Sequence, residues 1–176
     1  VSGPVVLITG GASSGKTRYA CQRAAACGPR VLYVATCRPE DEEMRSKVAR
    51  HRRERPPGWS TVERTADVAG ALGSGFDAVV VDSLTLLVAA QVLSGADGSA
   101  VEAEVERLVA APPAPLFLVS DEVGWGIVPE TPVGRLFRDL VGRANQVAAA
   151  RADEVVVMVA GIPLVLKGRG GSSTPD

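Results

Sequence analysis

Gly10-Gly11-Ala12-Ser13-Ser14-Gly15-Lys16-Thr17 decides how this 176-residue chain is read. Its spacing, G-x-x-x-x-G-K-[ST], is that of a loop that wraps a phosphate chain. The flanks agree with the letters. Val5-Val6-Leu7-Ile8-Thr9 is a short apolar run that reads as a buried strand. Arg18 to Ala26 is rich in helix formers and is closed by Gly28-Pro29. Strand, glycine turn and helix N-terminus together aim backbone N–H groups at one point, a ready seat for a polyphosphate. Gly10 and Gly15 let the backbone turn and come close where a Cβ would interfere. Lys16 supplies a mobile cation to the β- and γ-phosphates, and Thr17 offers its hydroxyl to magnesium. Gly11, Ala12, Ser13 and Ser14 complete the nucleotide-binding loop. The competing reading, a chance glycine-rich turn, has no use for the matched flanks.

Outward from the loop, apolar strands alternate with helices. Strands are expected at Arg30–Thr36, at Phe76–Asp82, at Leu116–Ser120 and at Glu154–Ala160, with short extended pieces at Trp59–Glu63 and Leu164–Leu166. A helix should run from about Glu40, its first turn acidic and its later turns basic, until Arg55-Pro56-Pro57-Gly58 stops it. Ala66–Leu72 reads as a brief helix, Leu84–Leu93 and Ala100–Ala110 as longer ones. Thr131-Pro132 opens another that reaches Arg151. This alternation implies an α/β fold with a mainly parallel sheet and helices on both faces. The ligand site of such a sheet lies at the carboxyl ends of its strands. There the sequence places the glycine loop, Thr36-Cys37, Asp82-Ser83 and Asp121-Glu122.

Hydrophobic residues make up 46% of the chain, which argues for a real core and against general disorder. Residues 1–167 are expected to form one domain, and the polar, aperiodic stretch from 168 to 176 a disordered tail. A formal net charge of -1 gives no global reason to expect nucleic-acid or membrane partners. Three cysteines without a C-x-x-C pair, and a single histidine, fit free thiols in a reducing cytosol better than structural zinc. The opening apolar run is too short to span a membrane and lacks a signal peptide's basic flank and cleavage pattern. A cytoplasmic protein with no membrane span is therefore expected.

Among the candidates for chemistry, Asp82 ends an apolar strand, where a carboxylate orients magnesium in phosphate-loop proteins; alternatively it caps the next helix. Glu122 has a similar position on a neighbouring strand. His51 is the only histidine, set among Arg45, Lys47, Arg50, Arg52, Arg53 and Arg55. A neutral imidazole can attack phosphorus near pH 7, and surrounding guanidinium groups keep it neutral and bind a leaving pyrophosphate. Two plainer readings stay open. His51 shares a helical face with Met44 and Val48 and can simply pack there, and the arginines suit a solvated helix end or a nucleic-acid patch.

GGASSGKT, VLYVATC, E-M-x-x-K-V-x-x-H-R-x-x-R-P, W-x-T-x-E, VVVDSLT, VSDEVGWGIVPE, GRLFRDLVGRANQ and ADEVVVMVAGIP occur in this order between Val5 and Leu166. Together they resemble the bifunctional adenosylcobinamide kinase/adenosylcobinamide-phosphate guanylyltransferase family of cobalamin biosynthesis. The phosphate loop alone is generic; H-R-x-x-R-P and EVGWGIVPE are far more specific. The resemblance implies a P-loop NTPase fold with a RecA-like core, assembled as a homotrimer. It implies ATP and GTP as substrates with Mg2+, and adenosylcobinamide and adenosylcobinamide phosphate as partners. It places the guanylylated histidine on His51. Nucleotide contacts fall on Gly10 to Thr17, on Thr36, Cys37 and Arg38, on Arg52, Arg53, Glu54 and Arg55, on Glu63 and on Asp82. Three departures stand out: Ser13 replaces an arginine usual in the loop, Cys21 a common glutamate, and Asp121 a frequent asparagine. None removes a group the chemistry needs, although the change at Ser13 bears on nucleotide affinity. Apart from the resemblance, a monofunctional phosphate-loop kinase and a regulatory nucleoside triphosphatase that binds nucleic acid remain the alternatives.

Overall fold

The computed structural model describes residues 2–37, 42 and 56–168. The helix expected from Glu40 lies, but for Glu42, outside these residues, as does the tail beyond Gly168. Seven strands form one sheet: β1 (Val5–Gly10), β2 (Val31–Ala35), β3 (Ser60–Glu63), β4 (Ala78–Asp82), β5 (Leu116–Val119), β6 (Glu154–Val159) and β7 (Ile162–Lys167). Their order is β3-β2-β4-β5-β1-β6-β7. All neighbours are parallel except β6 and β7, which are antiparallel. Ala160 and Gly161, with φ of 52° and 83°, make the tight turn between those two; such a turn suits the natural twist of a hairpin.

Side chains alternate across the central strands, as a sheet covered on both faces requires. Val5 and Leu7 of β1 and Leu116 and Leu118 of β5 enter one core. Helices α2 (Leu84–Leu93), α3 (Gly98–Ala110) and α4 (Pro132–Arg151) cover that side. Val6, Ile8, Phe117 and Val119 face the other way, toward Ala20 and Ala24 of α1 (Lys16–Ala25). The expected α2 and α4 match in extent, and their caps explain why: Ser83 and Thr131 accept from the N–H groups of Leu86 and Gly134. The brief helix expected at Ala66–Leu72 shrinks to one 3-10 turn, Ala69–Ala71. Its weak amphipathic pattern buries only Val68 next to it, so nothing rewards a longer helix. Conversely, the final strand is longer than Leu164–Leu166. Backbone pairing to β6 fixes it, although all six of its residues are exposed.

Arg23 ties α1 to the start of β6 through two bonds to Glu154, at 2.9 and 3.0 Å, while its guanidinium lies over the rings of Tyr19 and Phe117. The hydrogen-bonded Arg23 holds the Glu154 carboxyl below its ordinary range. A depressed carboxyl pKa stabilises the fold above the unfolded value, and that contribution disappears as pH falls through the folded one. Glu154→Gln should therefore cost about 0.5–1 kcal/mol at pH 7, the modest scale of a half-exposed pair. The cost should shrink as pH drops below the ordinary 4.5. Urea midpoints of both proteins at pH 7 and pH 3 check this; an equal gap at both would contradict it.

Candidate active site

The glycine loop leaves β1 at its carboxyl end and enters α1 through Gly15, whose φ of 95° is left-handed. Gly10 is also held open: a Cβ there would stand 2.5 Å from the Met158 carbonyl oxygen. The loop is thus seated on β6, and the Gly161 N–H donates to Ser14 O at 3.0 Å. Ser13 adopts a φ of 56°, uncommon for a residue with a side chain. Lys16 is buried, at 7% exposure, and its Nζ donates to Gly11 O at 2.5 Å. The same ammonium pairs with Asp121 Oδ1 at 2.8 Å. An ammonium inside the curl of the loop faces the place where the loop's own geometry seats phosphates.

β5 lies between β1 and β4, which sets Asp82 two strands from the loop. Thr17, one residue into α1, bridges that gap: its Oγ1 donates to Asp82 Oδ2 at 3.0 Å, and the Tyr33 hydroxyl donates to the same oxygen. Asp82 does not cap α2; Ser83 does. The carboxylate is thereby left facing the loop. A hydroxyl and a carboxylate oxygen side by side are hard donors, the few protein ligands that Mg2+ takes beside phosphate and water. They could hold that ion.

Beside them Thr36 is locked against Ser83, donating to its carbonyl at 2.6 Å and accepting from its N–H at 2.7 Å. Thr36 and the half-buried Cys37 lie where the chain leaves β2 at the carboxyl edge. Glu63 ends β3 and, with Arg64, Thr65 and Ala66, lines an open cavity of about 370 Å³. The structure thus brings Gly10 to Thr17, Thr36, Cys37, Glu63 and Asp82 to one edge of the sheet. Arg38, His51, Arg52, Arg53, Glu54 and Arg55 lie outside the described residues.

The stretch after β5 stays attached to β1: Ser120 N–H donates to Ile8 O and Glu122 N–H to Gly10 O, each at 3.0 Å. Glu122 therefore stands directly beside the first glycine of the loop. Burial pushes its carboxyl pKa up, and hydrogen bonds from Thr9 and Asn145 partly offset that. The sequence alone did not single out Tyr33, Thr9 or Asn145. For Asn145 a signal exists, since it follows Val141 by four and precedes Ala148 by three on the buried stripe of α4, where a polar side chain needs a partner.

With one strand inserted between the loop-bearing and the aspartate-bearing strands, the architecture is that of the phosphate-loop nucleoside triphosphatases. A solved structure of the RadB recombinase shares it at a TM-score of 0.57 and 19% identity, over 96% of this chain and 82% of that one. More narrowly, the chain belongs to the cobinamide kinase / cobinamide phosphate guanyltransferase family, whose model matches residues 6–166. It is 37% identical to the bifunctional adenosylcobalamin biosynthesis protein CobU of Escherichia coli (strain K12), covering 93% of this chain and 99% of that protein. Its identity to the bifunctional adenosylcobalamin biosynthesis protein CobP of Pseudomonas aeruginosa is 39%, over 92% of this chain and 96% of the relative. Among the described residues, no helix is long and apolar enough to cross a membrane.

Proposed function

We propose that this chain phosphorylates adenosylcobinamide and then transfers GMP to the product through a covalent GMP–His51, and that it does so in the cytoplasm. The observation that carries the reading is the convergence of Lys16, Thr17 and Asp82 on the glycine loop, with Glu122 beside it. In the first reaction the loop and Lys16 align the triphosphate of ATP or GTP. Magnesium on Thr17 and Asp82 would neutralise charge on the β- and γ-phosphates. The aminopropanol hydroxyl of adenosylcobinamide attacks the γ-phosphorus and gives its proton to Glu122. The bond from the γ-phosphorus to the β–γ bridging oxygen breaks, and the nucleoside diphosphate leaves. Most of the rate comes from alignment and charge stabilisation.

In the second reaction an imidazole nitrogen of His51 attacks the α-phosphorus of GTP. The bond to the α–β bridging oxygen breaks and pyrophosphate leaves, drawn off by Arg38, Arg52, Arg53 and Arg55. A phosphate oxygen of adenosylcobinamide phosphate then displaces the imidazole, so the P–N bond breaks and adenosylcobinamide-GDP forms. Glu63 suits the guanine, whose N1–H and N2 amino group are donors that adenine does not present together; Glu54 belongs to the same nucleotide contacts by resemblance. In support, the segment that carries His51 departs from Thr36-Cys37 at the edge where the loop lies.

Apolar side chains on the exposed edge strand, Ile162, Leu164 and Leu166, support association of copies, and a trimer is what the resemblance implies. Incubation with GTP labelled in the α-phosphate tests the central claim. The expected result is a protein-bound label that acid releases as GMP and that base leaves in place. Phosphorylation of adenosylcobinamide without such an adduct would leave a monofunctional kinase. Salt-sensitive polynucleotide binding with neither reaction would leave the regulatory alternative.

A further inference from the structure

Four residues to which the two reactions give no step of their own, Thr85 on α2, Ser120 and Asp121 after β5 and Asn145 on α4, meet in one hydrogen-bond ring behind the loop. Asp121 N–H donates to Thr85 Oγ1 at 2.7 Å, and Thr85 Oγ1 lies 3.3 Å from Ser120 Oγ. Ser120 Oγ donates to Asn145 Oδ1 at 2.6 Å. Asn145 Nδ2 returns to Asp121 O at 3.3 Å and also reaches Glu122 Oε1 at 3.4 Å. A hydroxyl has one proton. Ser120 has given its own to Asn145, so the Thr85 hydroxyl must donate to Ser120, and every bond in the ring acquires a direction. The Asp121 carbonyl oxygen can only accept, which fixes the Asn145 amide: its nitrogen faces Asp121 O and Glu122 Oε1, and its oxygen points to Ser120.

Thr85, Ser120 and Asn145 are all buried, at 6%, 0% and 8% exposure. Holding a polar ring in the interior needs each member satisfied, and the ring achieves this only in one arrangement. We propose that Asn145 is a positioning residue for phosphoryl transfer, one that turns the Glu122 carboxylate toward the acceptor alcohol beside Gly10. The proposal rests on the kinase half of the reading above. Glu122 enters the site from a stretch whose backbone is hydrogen-bonded to β1, which leaves its side chain to be constrained separately. Thr9 supplies one contact from β1 and Asn145 the other from α4. Its chain neighbour Asp121 is engaged with Lys16.

The test is Asn145→Asp in the full chain. The change keeps volume and the oxygen that accepts from Ser120, but it replaces the N–H bonds by an oxygen facing Glu122 Oε1 and Asp121 O. Expected are a fall of about 10- to 100-fold in kinase kcat, with KM for the triphosphate little changed, and GMP labelling from α-labelled GTP near the wild-type level. The acid limb of the kcat profile should move to higher pH, since a donor that favours the ionised Glu122 is replaced by a carboxylate. On a Glu122→Gln background the same change should have no further effect on kcat. Ser120→Ala, which removes only the hydroxyl that orients Asn145, should act in the same direction and decides the matter where the aspartate variant folds poorly. Folded variants with wild-type kinase kcat, or an equal loss of kinase and labelling, would overturn the role of Asn145. A wild-type protein that neither phosphorylates adenosylcobinamide nor takes up label would instead overturn the underlying reading.

Discussion

His51→Ala is expected to lose the covalent GMP adduct altogether while phosphorylating adenosylcobinamide at close to the wild-type rate. Removal of a covalent nucleophile costs on the order of 10⁶-fold in its own step, so guanylyl transfer should fall below detection. The kinase step should be spared because none of the groups proposed for it is an imidazole: the loop, Lys16, Thr17, Asp82 and Glu122 come from β1, α1, β4 and the stretch after β5. The measurement is paired. Label from α-labelled GTP should vanish from the protein, and adenosylcobinamide phosphate should still accumulate. Persistent acid-labile label would place the nucleophile elsewhere.

Lys16→Ala should behave in the opposite way and impair both reactions. Loss of one buried cation aimed at a phosphate chain costs about 10²- to 10³-fold in an electrostatically stabilised step. In the proposed mechanism both reactions use the triphosphate in the same loop, so both should fall together. The fold should survive. Asp121, the carboxylate left without its ion-pair partner, keeps 34% of its side chain exposed and can be solvated by water. A thermal midpoint near wild type together with lost kinase and labelling activity is the expected pair of results. Unchanged kinase turnover would remove Lys16 from the chemistry.

The two variants also separate what was legible in the sequence from what was not. The loop could be read because its function dictates its letters: glycine where the backbone must turn or come close, lysine and threonine where charge and a hydroxyl are needed. Gly10 and Gly15 meet both demands in the structure, one by a close carbonyl and one by a left-handed φ. α2 and α4 could be read because capping is local; Ser83 and Thr131 each announce a helix within three residues. Asp82 was ambiguous for the same reason. A strand-end aspartate serves equally well as a cap or as a site carboxylate, and only the neighbour, Ser83, taking over the cap left it to Thr17 and Tyr33. Tyr33 and Thr9 sit on strands whose alternation predicts burial, not partners.

Order along the chain sufficed for the phosphate loop, the α/β alternation and the edge of the sheet on which polar residues would gather, because each depends on contacts between residues a few positions apart. The strand order was not of that kind. The insertion of β5 between β1 and β4 joins segments more than thirty residues apart, and it is this insertion that puts Asp121 against Lys16 and Glu122 against Gly10. Asn145 belongs with these: its amide acquires a direction only when α4, α2 and the end of β5 close around it, since a buried amide takes its orientation from the donors and acceptors packed against it.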